Sequence, residues 1–169
     1  MYAGHAALAL LAKAKRPRIP LALLVPVAFA PDWIEWVFAG FGHRNQEISH
    51  SLVSVGIGAT LVALIYGVSR RDSSGALAVW LTYVSHWTAD FFTGRKPTWP
   101  GGPDVGLYLY TKPAADAAIE FTVIALCWLA YRQSLPAGSR RRAIGWLVPA
   151  GLVAMHVAFL VVTTPSLRP

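Results

Sequence analysis

The chain has 169 residues, of which 55% are hydrophobic and only 14% charged, and its mean hydropathy is +0.47. Soluble domains carry about 25% charged residues, so the composition excludes an ordinary soluble domain and indicates an integral membrane protein. The net charge of +7 comes with no nucleic-acid motif and no basic stretch interleaved with aromatics, which excludes nucleic acid as the partner; in a bilayer such an excess reports topology and anionic lipid.

A spanning helix needs about 20 mostly apolar residues. The first run, about residues 2–12, "YAGHAALALLA", is too short and reads as a helix or half-helix buried among others. No charged region precedes it, so it is a poor signal peptide and is kept in the mature chain. Residues 19–38 are long enough to span, but Pro26 and Pro31 predict a kink or break. Residues 48–68, 75–93, 114–131 and 143–163 follow as further spans. Cys127 is the one cysteine, so no internal disulfide forms, and it reads as a small core residue. The expectation is all-α: one polytopic transmembrane bundle over residues 1–169, with about five spanning helices plus the short N-terminal helix or half-helix.

Lysine and arginine in short loops set orientation. Lys13, Lys15, Arg16 and Arg18, then Arg70 and Arg71, then Arg132, Arg140, Arg141 and Arg142 fall in loops that alternate onto one side, the cytoplasm. The outer side keeps Arg44, Arg95, Lys96, Lys112 and Arg168. The long connection 94–113, "GRKPTWPGGPDVGLYLYTKP", then lies outside as an interfacial loop or lid. These features predict a multi-pass protein of the cell (inner) membrane with the lipid bilayer as its surroundings.

Ionisable groups within membrane segments are costly and are functional candidates by default. On this topology Asp32 and Glu35, His50, His86 and Asp90, and Asp116 and Glu120 all fall in the outer half of the membrane, and His5 can reach the same layer. Imidazole and carboxylate are the ligand set for zinc, manganese or iron. His86 and Asp90 stand one helical turn apart and can share an ion, and Asp116 and Glu120 repeat that spacing. Asp32 and Glu35, three apart, present two carboxylates if helical. The set lacks thiolate and is rich in oxygen, which suits an open catalytic site. The candidate metal ligands read from the residues are therefore His86, Asp90, His50, Asp32, His5 and Asp116. Glu120 or Glu35 serves as general base or orienting group, and Arg44 as a clamp for an anionic group. His156, in "LVAMHVAFL", has no polar neighbour in sequence and reads as packed or lipid-facing.

"GHAALALLA", "PDWIEW", "HRNQEISHS" and "SHWTADFFTG" followed by "WP" occur in the order found in the YdjM-like membrane-bound metal-dependent hydrolases, which the chain resembles over roughly residues 1–131. The resemblance implies metal or catalytic roles for His5, Asp32, His43, His50, His86 and Asp90. It leaves 143–163 as an additional C-terminal helix outside the metal-site core. Where the family often has a further aspartate and histidine after its proline–aspartate pair, "WIEW" offers Glu35 alone, and Ser49 stands where threonine is common. The histidine-x-x-x-aspartate helix is also similar to that of zinc-dependent phospholipase C.

The expected function is thus metal-assisted hydrolysis at the outer membrane face. It would use a divalent metal, zinc first among them, and act on a lipid or lipid-linked ester or phosphoester. The alternatives are a small ion- or proton-coupled transporter, since intramembrane histidine and carboxylate chains also mark ion pathways, and a non-catalytic metal-binding membrane protein.

Overall fold

Prolines and one serine decide where the apolar runs break. The computed structural model describes residues 3–43, 46–140 and 144–163. The first run forms α1 (Ala3–Lys15). At about 1.5 Å per residue it is too short for a hydrocarbon core of about 30 Å. Ala3 and Ala7 are fully buried against Ile124 and Cys127. Small residues let two backbones approach closely, so α1 lies enclosed within the bundle.

Run 19–38 breaks at Phe29 into α2 (Leu21–Ala28) and α3 (Ala30–Gly40), whose axes are bent by 60°. Pro31 sits in the first turn of α3, where a missing N–H costs nothing.

Run 48–68 begins otherwise than expected. It divides into α4 (Gln46–His50) and α5 (Leu52–Arg70), because Ser51 is extended (φ −67°, ψ 147°) and its hydroxyl accepts the Ser54 N–H at 3.2 Å. Such a residue caps a helix start. His50 therefore ends a short helix of its own rather than opening the spanning one.

Arg71, in the left-handed region at φ 51°, closes α5. Asp72 then caps α6 (Ser73–Thr93) by accepting the Gly75 N–H at 2.8 Å. That bond, with the Ser74 hydroxyl, holds its carboxyl below the usual range.

The loop after α6 folds back over the end of that helix. Strands β1 (Lys96–Pro97) and β2 (Asp104–Val105) pair antiparallel, with Lys96 opposite Val105. Leu107 N–H donates to the Phe91 carbonyl at 2.7 Å. Gly106 has φ +148°, and a Cβ there would meet the Gly94 carbonyl oxygen. A 3₁₀ turn (Leu109–Thr111) leads into α7 (Pro113–Ser134), followed by α8 (Ala137–Arg140) and α9 (Ile144–Thr163).

The molecule is mostly helical, at 81%. α6 packs on α5 at one side and on α1 and α2 at the other, α7 packs on α1, and α9 packs on α7 and α1. Val55, Ala59, Val79, Tyr83, Leu24 and Ala28 form the main core. Gly58 permits the approach of α5 to α6, since a Cβ there would stand 2.5 Å from the Tyr83 hydroxyl oxygen. The outer surface is apolar, with Ile65, Val68 and Leu147 67%, 78% and 66% exposed. A soluble protein would not expose such a surface, and lipid suits it.

Among the described residues three helices are long and apolar enough to cross a membrane: α5, α7 and residues 145–162 of α9. The α2–α3 pair makes a fourth if counted as one bent span. The expected count of about five is not reached on these grounds. Helix α6 has 21 residues, but Thr82, Ser85, His86, Thr88 and Asp90 dilute its apolar character.

Candidate metal centre

His86 and Asp90 lie on one face of α6, both buried, with His86 Nε2 3.5 Å from Asp90 Oδ2. The other nitrogen of His86 settles the tautomer. Nδ1 lies 2.8 Å from the Ala28 carbonyl, and a carbonyl only accepts, so Nδ1 carries the proton. The carbonyl is available because α2 ends there, and carbonyls at a helix end lack intrahelical partners. In the neutral ring Nε2 then keeps its lone pair. It is buried, makes no hydrogen bond, and faces Asp90 and also Asp32 Oδ1, 3.6 Å away. A histidine that donates from one nitrogen to a carbonyl and aims the other at carboxylates has the orientation typical of a metal ligand.

The remaining groups arrive from other elements. α1 brings His5, whose ring stacks on His86 at 3.9 Å and whose Nε2 lies 3.3 Å from Asp90 Oδ1. α3 brings Asp32 and Glu35 together, as their spacing requires on a helix. α4 brings His50, with Nε2 3.2 Å from Asp32 Oδ1 and Nδ1 3.5 Å from Glu35 Oε2. Ser49 Oγ is hydrogen-bonded to His50 Nδ1 at 2.8 Å.

Among the described residues, three overlapping groups have ligand atoms within 4.8 Å of one another: His5, Asp32 and His86; His50, His86 and Asp90; and Asp32, Glu35 and His50. These buried histidine and aspartate clusters can hold a metal ion. The donor chemistry fits, and the unpartnered Nε2 of His86 points into the cluster.

Other expected residues stand elsewhere. Asp116 joins none of these groups. With Glu120 it faces His156: Asp116 Oδ2 lies 3.8 Å from His156 Nε2, and Glu120 Oε1 lies 3.6 Å from His156 Nδ1. Glu120 Oε1 also accepts the Gly4 N–H at 2.8 Å, satisfying a free amide at the start of α1. Asp116, expected as a ligand, and Glu120, expected as general base or orienting group, thus stand with His156 in a separate buried cluster. All three side chains are fully buried, so His156 is not lipid-facing. His43 is exposed beyond α3 and belongs to no group. Arg44 lies outside the described residues.

Two neighbours were missed from sequence. His156 carried a signal, an ionisable group within an apolar helix, but its partners sit on another helix. Lys96 was counted only as outer charge, whereas its Nζ lies 3.1 Å from Asp90 Oδ2. No family model, no curated protein and no solved structure matches the chain.

Proposed function

We propose that this chain is a membrane-embedded, metal-dependent hydrolase of the inner membrane. Its centre opens on the outer face and acts on a lipid or lipid-linked ester or phosphoester. The observation that carries the reading is His86, whose proton is committed to the Ala28 carbonyl and whose buried Nε2 faces two carboxylates. His50, His86 and Asp90, with Asp32 and His5 beside them, would hold a divalent ion, zinc in the first instance. The order of motifs that resembles the YdjM-like hydrolases supports the same assignment, and α6 then counts as the fifth span.

A divalent ion supplies Lewis-acid polarisation of the scissile bond and acidifies water toward a pKa of about 7. The chain's own groups do the rest. Ala28 fixes the His86 ring, and Ser49 and Glu35 fix the His50 ring. Glu35 is the general base, because it is a quarter exposed and its carboxylate reaches His50. Glu120, fully buried under α1, cannot meet substrate.

Transport finds less support. No polar track through the bundle is evident from the main core of the described residues. In that core Val55, Ala59 and Val79 are apolar and fully buried. The test is metal analysis of the purified protein together with hydrolysis of carboxyl-ester and phosphoester lipids by wild type and His86→Ala. A wild-type protein without divalent metal sinks the reading.

A further inference from the structure

Lys96 stands at the edge of the candidate centre. Its Nζ lies 3.1 Å from Asp90 Oδ2, the same oxygen that faces His86 at 3.5 Å and His50 at 3.9 Å. Its side chain is 12% exposed, against 8% for Asp90, so both partners are only slightly open to the surroundings. Its backbone pairs with Val105, and the loop carrying Val105 is tied to α6 by the bonds of Leu107 to Phe91 and of Tyr108 to Gly94. Its Nζ also donates to Gln46 Oε1 at 3.3 Å, and Gln46 Nε2 donates to Glu35 Oε1 at 3.1 Å. One ammonium is thus linked to α6, to α4 and, through Gln46, to the proposed base on α3.

We propose that Lys96 binds an anionic oxygen of a phosphoryl group, so that the substrate of this centre is a phosphoester rather than a neutral carboxyl ester. This deepens the hydrolase reading and rests on it. An ion held by His50, His86 and Asp90 shares Asp90 with the ammonium, so two cations meet at that carboxylate, with Asp32 and Glu35 on the side of the histidines. A neutral ester offers one carbonyl oxygen and no charge, and gives the ammonium no anionic partner beyond Asp90. A phosphoryl group offers several charged oxygens, one for each cation. Lysine suits this role because its ammonium is a compact point charge with three rotatable donors. Gln46 engages one of the three ammonium donors and leaves another to turn toward substrate.

The phosphoryl group belongs either to a lipid headgroup or to a free phosphate compound. The experiment uses the full-length zinc-loaded protein in neutral detergent, with wild type, Lys96→Met and Lys96→Arg. Metal content and melting temperature are measured first. Binding of inorganic phosphate and of dihexanoyl phosphatidic acid is then measured by calorimetry. Wild type should bind at least one of the two. Lys96→Met should bind it roughly tenfold or more weakly, the size of one charge-assisted hydrogen bond, with its zinc retained. Lys96→Arg should recover part of the loss. Binding of the lipid alone assigns the headgroup as source, and binding of phosphate alone assigns a free compound.

Equal binding by wild type and Lys96→Met overturns the inference, as does the absence of binding by zinc-loaded wild type. Loss of zinc from Lys96→Met overturns it too, because the ammonium would then serve the ion's site and not the substrate's. Failure of the wild type to hold zinc or any other divalent ion is a separate result and overturns the hydrolase reading itself.

Discussion

His86 Nε2 faces Asp90 Oδ2 at 3.5 Å from one helical turn away, while its Nδ1 is bound to the Ala28 carbonyl at 2.8 Å. Both groups are thereby aimed at one point from a single rigid helix. If both hold the same ion, His86→Ala and Asp90→Ala each remove most bound metal, and the double variant loses little more. Elemental analysis of the three proteins, run beside their melting curves, checks this. Variants that melt early yet keep their metal would show a structural pair instead.

Asp32 and His43 separate the geometric assignment from the motif-based one. Asp32 Oδ1 lies near both His50 and His86, whereas His43 is exposed. Asp32→Asn should lower metal content strongly, and His43→Ala should leave it at the wild-type level. Metal loss on removing His43 would return it to the ligand set.

The Asp116–Glu120–His156 cluster joins α9 to α7 by buried polar groups. Both carboxyl oxygens of Asp116 and both ring nitrogens of His156 are buried without a hydrogen bond, so the contact is one of proximity, and truncating a buried polar partner of this kind typically costs about 1–3 kcal/mol. His156→Ala should therefore lower stability by about that amount while the metal of the first centre stays. Thermal unfolding in detergent with metal analysis reads both, and an unchanged melting temperature would show that the cluster does not stabilise the packing of α9 on α7.

Gly58 lies against Tyr83, where a Cβ would stand 2.5 Å from the hydroxyl oxygen. Gly58→Ala overpacks the α5–α6 contact, at a cost of about 1–3 kcal/mol. Tyr83→Phe combined with Gly58→Ala should recover part of it, because the clashing oxygen is gone. Melting curves of the single and double variants decide this.

Because positively charged loops are retained inside, residues 13–18, 70–72 and 132–142 are expected in the cytoplasm. A single cysteine at Ser139, in a chain lacking Cys127, should resist membrane-impermeant reagent in intact cells. Labelling from outside would invert the protein and move the centre to the cytoplasmic face.

Much of the helical content was legible because its signals are local. Apolar runs of membrane length, the prolines that bend α2 into α3, and the four-residue spacing of His86 and Asp90 are all written in adjacent residues. The division at Ser51 was not legible, because a serine among apolar residues reads equally as part of a helix and as its cap. Which reading wins depends on whether Ser54 N–H is met by the hydroxyl.

The sequence by itself determined that this chain is helical and suited to a bilayer, and that its histidines and carboxylates include pairs set to share helix faces. The tertiary structure alone decided how those residues divide between clusters. It turned Asp116 and Glu120 toward His156, left His43 outside, freed the Ala28 carbonyl for His86, and brought Lys96 onto Asp90. The physical reason is that a ligand set is a matter of a few ångströms between different helices. Spacing along the chain fixes direction within one helix, whereas distance between helices follows from packing, such as the close fit of Ala3 and Ala7 on α7.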